Sequence, residues 1–315
     1  MLDLLDHRLL FVTGKGGTGK TTVAAAMALL ASQRGKRTLV CEIDAKGDLA
    51  DFFECGNIVY KAREVSPGLF AMAMDTEQSL DEYLRLFLRI PVMGRIGPVA
   101  RMFDFVATAA PGVKEILTVG KLAYEVREAH YDLVVVDASA TGHIVGQLAA
   151  PQAINHLVQV GLVRSQTDWM LEILSDPTRT GLVIVSTPEE MPVNETIELS
   201  KRVADETTVK LAAVVVNRVL PELFGRSEEE VFDALAEPAV RPKVDEAFEG
   251  PSGPLLDAAR LAVTLRRTRA VHLDHLRSAI DPRMPMLYVP YLFTRAHGLR
   301  STRYVAEALS AELGY

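Results

Sequence analysis

Several apolar runs in this chain do not alternate: "LVVVD" and "AAVVVN" present β-branched residues one after another, with no polar residue every second position. A strand with one wet face alternates, so an uninterrupted run predicts a strand covered on both faces, as in a parallel sheet. Seven segments read as strands: Leu9–Thr13, Thr38–Ile43, Leu69–Met74, Leu133–Val136, Leu182–Ser186, Ala212–Val216 and Met286–Val289. Helical patterns lie between most of them. The expected class is α/β, a mostly parallel, doubly wound core.

At 315 residues the chain fits one domain with elaborations. Residues 76–130 and 152–178 are expected to be a helical elaboration, and 221–285 a helical segment before the last core strand. In the first, Leu80, Leu84, Phe87, Leu88, Val99, Met102, Phe103 and Val106 recur at helical spacing, broken at Pro91, Pro98 and Pro111. The stretch 80–106, with Leu86, Met93 and Phe105 besides, offers either a buried core face or an apolar client groove.

The first strand runs into "GKGGTGKTTVAAAMALLAS", which fits two phosphate-binding patterns. Gly14, Gly16 and Gly19 spell a dinucleotide fingerprint, with Glu42 available for a ribose. Gly14, Gly19, Lys20 and Thr21 spell the triphosphate loop. A pyrophosphate needs only close backbone approach and a helix N-terminus. A triphosphate with Mg²⁺ needs, in addition, an ammonium and a hydroxyl. Lys20 and Thr21 supply both, so the residues Gly14, Lys15, Gly16, Gly17, Thr18, Gly19, Lys20, Thr21 and Thr22 are read as an ATP·Mg²⁺ loop. Asp137, ending an apolar run, can hold the metal through water.

"GKGGTGKT" resembles the deviant Walker A loop of the family that contains the arsenite-pump ATPase ArsA, the tail-anchored-protein targeting ATPases, MinD and ParA. "DASATGH" is similar to the switch segment of the ArsA and tail-anchored-targeting branch at Asp137, Thr141, Gly142 and His143, with Ser139 and Ala140 departing from it. "DAKGDLADFF" matches the other switch at Asp44, Leu49, Asp51 and Phe53, while Ala45 and Gly47 replace a proline and a histidine. "VVVNRVLPE" and "LYVPYLF" look like the segments around the adenine.

The resemblance implies a dimeric ATPase, either a homodimer or a heterodimer with a paralogue. In it Lys15 reaches the partner's nucleotide, Lys20 binds phosphate and Asp44 orients the attacking water. Thr21 and Asp137 serve the metal, and Asn217 and Pro290 flank the base. A lysine delivered in trans acts like an arginine finger, a device worth about 4 to 7 kcal/mol of barrier. An apolar client or membrane protein is the expected partner; an oxyanion-transport subunit or a MinD/ParA-like regulator is the alternative. The two cysteines, Cys41 and Cys55, make a poor thiolate cluster for arsenite. Lying before residue 56, they are also misplaced for an iron–sulfur reductase.

A net charge of −7 argues against nucleic acid as the main partner. The basic run Arg266-Arg267-Thr268-Arg269 reads as a solvated helix face. His272 and His275 share a helical face, but two histidines make a weak metal site. The start "MLDLLDHRLLFV" lacks signal-peptide features and no apolar run nears about 18 residues, so a cytoplasmic protein, not itself a membrane protein, is expected.

Overall fold

A computed structural model describes residues 3–44, 47–87, 112–158, 160–222, 225–235, 237–293 and 298–315. Its strands are β1 (Leu9–Gly14), β2 (Thr38–Glu42), β3 (Arg63–Ser66), β4 (Leu69–Ala73), β5 (Leu133–Asp137), β6 (Thr180–Ser186), β7 (Lys210–Val219) and β8 (Met286–Pro290). They form one sheet in the order β3-β4-β2-β5-β1-β6-β7-β8. Every pairing is parallel except β3 with β4. All seven expected strands are present. The eighth, β3, has one apolar residue in Arg63-Glu64-Val65-Ser66 and a register shift between Glu64 and Ser66. Such a short, charged, irregular edge resists pairing with another chain, and it leaves no hydrophobic pattern to read.

The helices are α1 (Lys20–Gln33), α2 (Asp48–Phe52), α3 (Thr76–Phe87), α4 (Val113–Arg127), α5 (Thr141–Leu157), α6 (Leu162–Ser175), α7 (Glu190–Glu206), α8 (Arg226–Leu235), α9 (Arg241–Ala247), α10 (Gly253–Ala279) and α11 (Leu299–Leu313). They cover both faces of the sheet. Leu10, Val12, Val40 and Val135 point to one face, against the buried alanines of α1 and against Val305 and Leu309 of α11. Leu9, Phe11, Leu39, Val134 and Val136 point to the other, against α4, α5 and α6. Successive strand residues therefore serve opposite layers, which explains the lack of alternation. A third cluster joins α7 and α10 to β7 through Val193, Ile197, Leu276 and Val216.

Helix α1 is alanine-rich because it lies beneath another helix. Residues Val23 to Ala31 are all buried, and only small side chains let the sheet and α11 approach from both sides. The segment 88–111, which carries Leu88, Met93, Met102, Phe103 and Phe105 of the apolar stretch, lies outside the described residues. No described helix is long and apolar enough to cross a membrane. The basic run on α10 meets acids in part: Arg266 pairs with Glu222 at 3.0 Å and Arg269 with Glu189 at 3.7 Å.

Candidate nucleotide site

The C-terminal ends of the parallel strands converge on the N-terminus of α1, where ligands bind in open α/β sheets. Gly14 ends β1 with a positive φ, and a side chain there would run into the carbonyl of Val185 on β6. The loop can therefore lie flat on the sheet only as glycine. Gly19 has φ +92°, and a Cβ there would strike the amide nitrogen of Asn217. Between them the Thr18 hydroxyl donates to the Lys15 carbonyl at 2.8 Å, closing the loop on itself. No side chain caps the start of α1. Its first N–H groups and the positive end of its dipole face the concavity, a ready seat for phosphate oxygens.

Lys20 and Thr21 form the first turn of α1, and the Thr21 hydroxyl donates to Asp137 Oδ2 at 2.7 Å. Asp137 ends β5, beside Val12 of β1 and Glu42 of β2 in the sheet register. It is 7% exposed, and its Oδ1 has no hydrogen-bond partner. Burial pushes its carboxyl from the ordinary 3.8 up to about 6, against the Thr21 hydrogen bond and the Lys20 charge; Glu42 and Asp48 add to the rise. A buried carboxylate with one oxygen unused, next to a hydroxyl, fits a hard divalent cation. Mg²⁺ takes few protein ligands and fills its remaining positions with phosphate and water. No group of three or more His, Cys, Asp or Glu among the described residues is arranged to hold a metal ion by itself.

The structure brings some expected site residues together and leaves others apart. Asp44 is exposed on the loop that leaves β2, with α2 just beyond. Thr141, Gly142 and His143 form the first turn of α5. The approach to that turn is pinned to β1: Ala138 N donates to Val12 O at 2.9 Å, and the Thr13 hydroxyl donates to Ser139 O at 2.8 Å. Pro290 ends β8, paired in register with Val219 and exposed.

Asn217 is buried under the loop. Its amide donates to the Thr18 carbonyl at 2.8 Å, and its Oδ1 accepts from Arg218 N at 2.9 Å. It braces the loop from below, with one amide hydrogen and one lone pair left for a base. Glu42 cannot serve a ribose, as the dinucleotide pattern would need. It is 2% exposed, and its Oε1 takes the Asp48 N–H at 3.3 Å.

Lys15 extends sideways from the loop and forms an ion pair with Glu195 of α7. The other oxygen of Glu195 accepts from the Thr141 hydroxyl at 3.3 Å. Sequence reasoning singled out Lys15 and Thr141 and gave Glu195 no role.

The family model described as Anion-transporting ATPase matches residues 7–170 and 162–237. ATPase BagA of Mycobacterium tuberculosis is 32% identical over 225 residues, covering 68% of this chain and 66% of that protein. An arsenical pump-driving ATPase of Acidiphilium multivorum is 26% identical over 302 residues, 89% of this chain and 50% of that protein. A putative arsenical pump-driving ATPase of Halobacterium salinarum is 27% identical over 294 residues, 86% of this chain and 44% of that protein. The chain thus spans just under two thirds of the mycobacterial relative and about half of the two arsenical-pump relatives.

Proposed function

The chain belongs to the anion-transporting ATPase family, and on that premise we propose that it is a magnesium-dependent switch ATPase that works as a dimer on an apolar client. Family membership makes it an ATPase; the metal, the second subunit and the client are the proposal. The observation that carries the metal is Asp137, whose idle Oδ1 lies buried beside Thr21 at the mouth of α1. Thr21 and Asp137 would hold Mg²⁺, which would supply positive charge against the phosphates. Lys20 places its ammonium on the same phosphates, and the N–H groups of the loop and of α1 orient them. Asp44 orients the attacking water. Because phosphoryl transfer asks mainly for position and charge, an exposed carboxylate just beyond the end of β2 suffices.

Lys15 completes the site of a neighbouring copy. Mixing Lys15→Ala with Asp44→Asn chains tests this: each is inactive alone, and a mixed dimer regains one intact site. Random pairing then restores roughly a quarter of wild-type hydrolysis. No recovery on mixing refutes the shared site.

An apolar client is supported by the helical layer. Helices α3, α4, α5 and α6 enclose a cavity of about 310 Å³ lined by Leu80, Tyr83, Leu86, Ile116, Leu117 and Met170 among others. Leu157 and Val160, 82% and 81% exposed, stand beyond the rim residue Ile154. Apolar surface left open next to an apolar cavity is what a partner's apolar segment would cover. Two observations weigh against the alternatives. Cys41 is fully buried in β2 and burial pushes its thiol far up, so it is a poor thiolate for an oxyanion. Helix α11 spends its apolar face on α1, which leaves no such face for a membrane surface.

A further inference from the structure

Glu195 touches two elements of the site at once, the phosphate loop and the start of α5. One carboxylate oxygen holds the Lys15 ammonium and the other accepts from Thr141, the first residue of α5. The platform beneath it is rigid: Val193, Thr196 and Ile197 are buried, and the Thr196 hydroxyl donates to the Pro192 carbonyl at 2.8 Å. The carboxylate is therefore presented from a fixed helix, not from a loop.

The two groups it holds are not fixed in the same way. Lys15 sits on the lip of a cavity of about 390 Å³, lined also by Gly16, Gly17, Glu189 and Arg218, so it has room to swing away. After β5 the chain is tied to β1 as far as Ser139. Beyond Ser139, Thr141 is held by Glu195. The pair itself is part-exposed, with Lys15 at 27% and Glu195 at 32%. Ion pairs of this exposure are weak, and a triphosphate carrying several charges outcompetes one carboxylate for an ammonium.

We propose that Glu195 is a positioning residue that parks Lys15 away from phosphate and links its release to the start of α5. With Lys15 parked, the carboxylate is shared and Thr141 keeps a long hydrogen bond. Once Lys15 leaves for a phosphate, the whole carboxylate becomes available to Thr141, and the turn Thr141–His143 tightens onto α7. The loop and the second switch are then coupled through one side chain, with no continuous deformation of the sheet between them. This inference rests on the reading that Lys15 serves a bound triphosphate.

The full chain tests it in two arms. In the first, equilibrium binding of ATP is measured for wild type, Glu195→Gln, Lys15→Ala and the double variant. Glu195→Gln removes the charge but keeps an acceptor, so it should lower the Kd for ATP about two- to fivefold. In the Lys15→Ala background the same change should leave the Kd where it was. An unchanged Kd in Glu195→Gln, or an equal change in both backgrounds, overturns the parking role.

The second arm needs no nucleotide and stands even if the ATPase reading fails. Amide hydrogen exchange is measured at residues 141–143 of the nucleotide-free protein. Glu195→Ala should speed exchange there severalfold, while Lys15→Ala should slow it, because the carboxylate is then wholly available to Thr141. Glu195→Gln, which keeps an acceptor for Thr141 but no longer holds Lys15, should exchange no faster than wild type at these amides and guards against a misfolded alanine variant. Equal exchange in Lys15→Ala and wild type, or loss of protection throughout α7 in Glu195→Gln, refutes the link.

Discussion

The loop end of the sheet and the helical layer formed by α3 to α6 differ in what lies between their elements. At the loop end, short polar contacts cross between elements far apart in sequence: Thr21 with Asp137, Thr13 with Ser139, Asn217 with Thr18. In the helical layer polar contacts also cross between helices, Lys121 with Glu82 and Asn155 with Thr167, yet an apolar cavity remains between the elements. Leu86, Leu157, Val160 and Val163 stay exposed. The first arrangement holds one geometry for chemistry. The second is soft and apolar, the character of a surface that is to be covered by something else.

The largest effect is expected where the contrast is sharpest. Lys20→Ala should cut ATP hydrolysis by more than about 100-fold, the cost of losing a charged group aimed at the reacting phosphates. Its thermal midpoint should stay close to that of wild type. A variant that keeps most of its rate would remove the loop from the chemistry.

Next in size is Asp137→Asn in metal-free buffer. A carboxyl moved from 3.8 to about 6 is disfavoured when ionised, so the folded state prefers it protonated. The sign follows: this group leaves stability intact below about pH 4 and costs up to about 3 kcal/mol above pH 6. The asparagine variant should be more stable than wild type at pH 8, and the two should converge toward pH 4, as read by urea denaturation at both pH values. Added Mg²⁺ and ATP should reverse the order, because only the carboxylate repays its burial by holding a cation.

The helical layer is probed by Gly120→Leu. A Cβ at Gly120 of α4 would lie 2.8 Å from Cε of Met170 on α6, so a larger side chain must displace that methionine's tip into the cavity both residues line. Repacking of this kind costs at most about 1 to 3 kcal/mol. If the two regions are independent, the KM for ATP should not change, since α4 and α6 contribute nothing to the loop. A shifted KM would show that the two regions communicate.

The smallest change in stability is expected for Leu157→Ser with Val160→Ser, within about 0.5 kcal/mol of wild type, because both side chains already face water. The same pair should weaken capture of apolar segments by a non-hydrolysing Asp44→Asn chain. Unaltered capture would place the client elsewhere.

Much of this was legible because it is local. The phosphate loop needs glycine, lysine and threonine at set distances along one turn, so "GKGGTGKT" announces itself. The two-faced burial of the strands is written into runs such as "LVVVD". Asp137 is readable as the acid that ends such a run. Strand β3 was not legible, since its pairing to β4 depends on a backbone edge and not on side-chain pattern. Asn217 stood out, yet its hold on the Thr18 carbonyl from below the loop did not. A side-chain amide can serve a base or a backbone equally well, and only the fold says which is near.

By itself, then, the sequence determined the parallel α/β core, because that is a periodicity within short stretches, and it carried the motifs whose resemblance pointed to the family. The tertiary structure decided the rest: that Glu42 is buried beside Asp137, that Asp137 keeps one oxygen idle, and that Glu195 joins Lys15 to Thr141. These are meetings of residues up to 180 positions apart. No local rule encodes them; they follow from which strands lie side by side and which helices close over them.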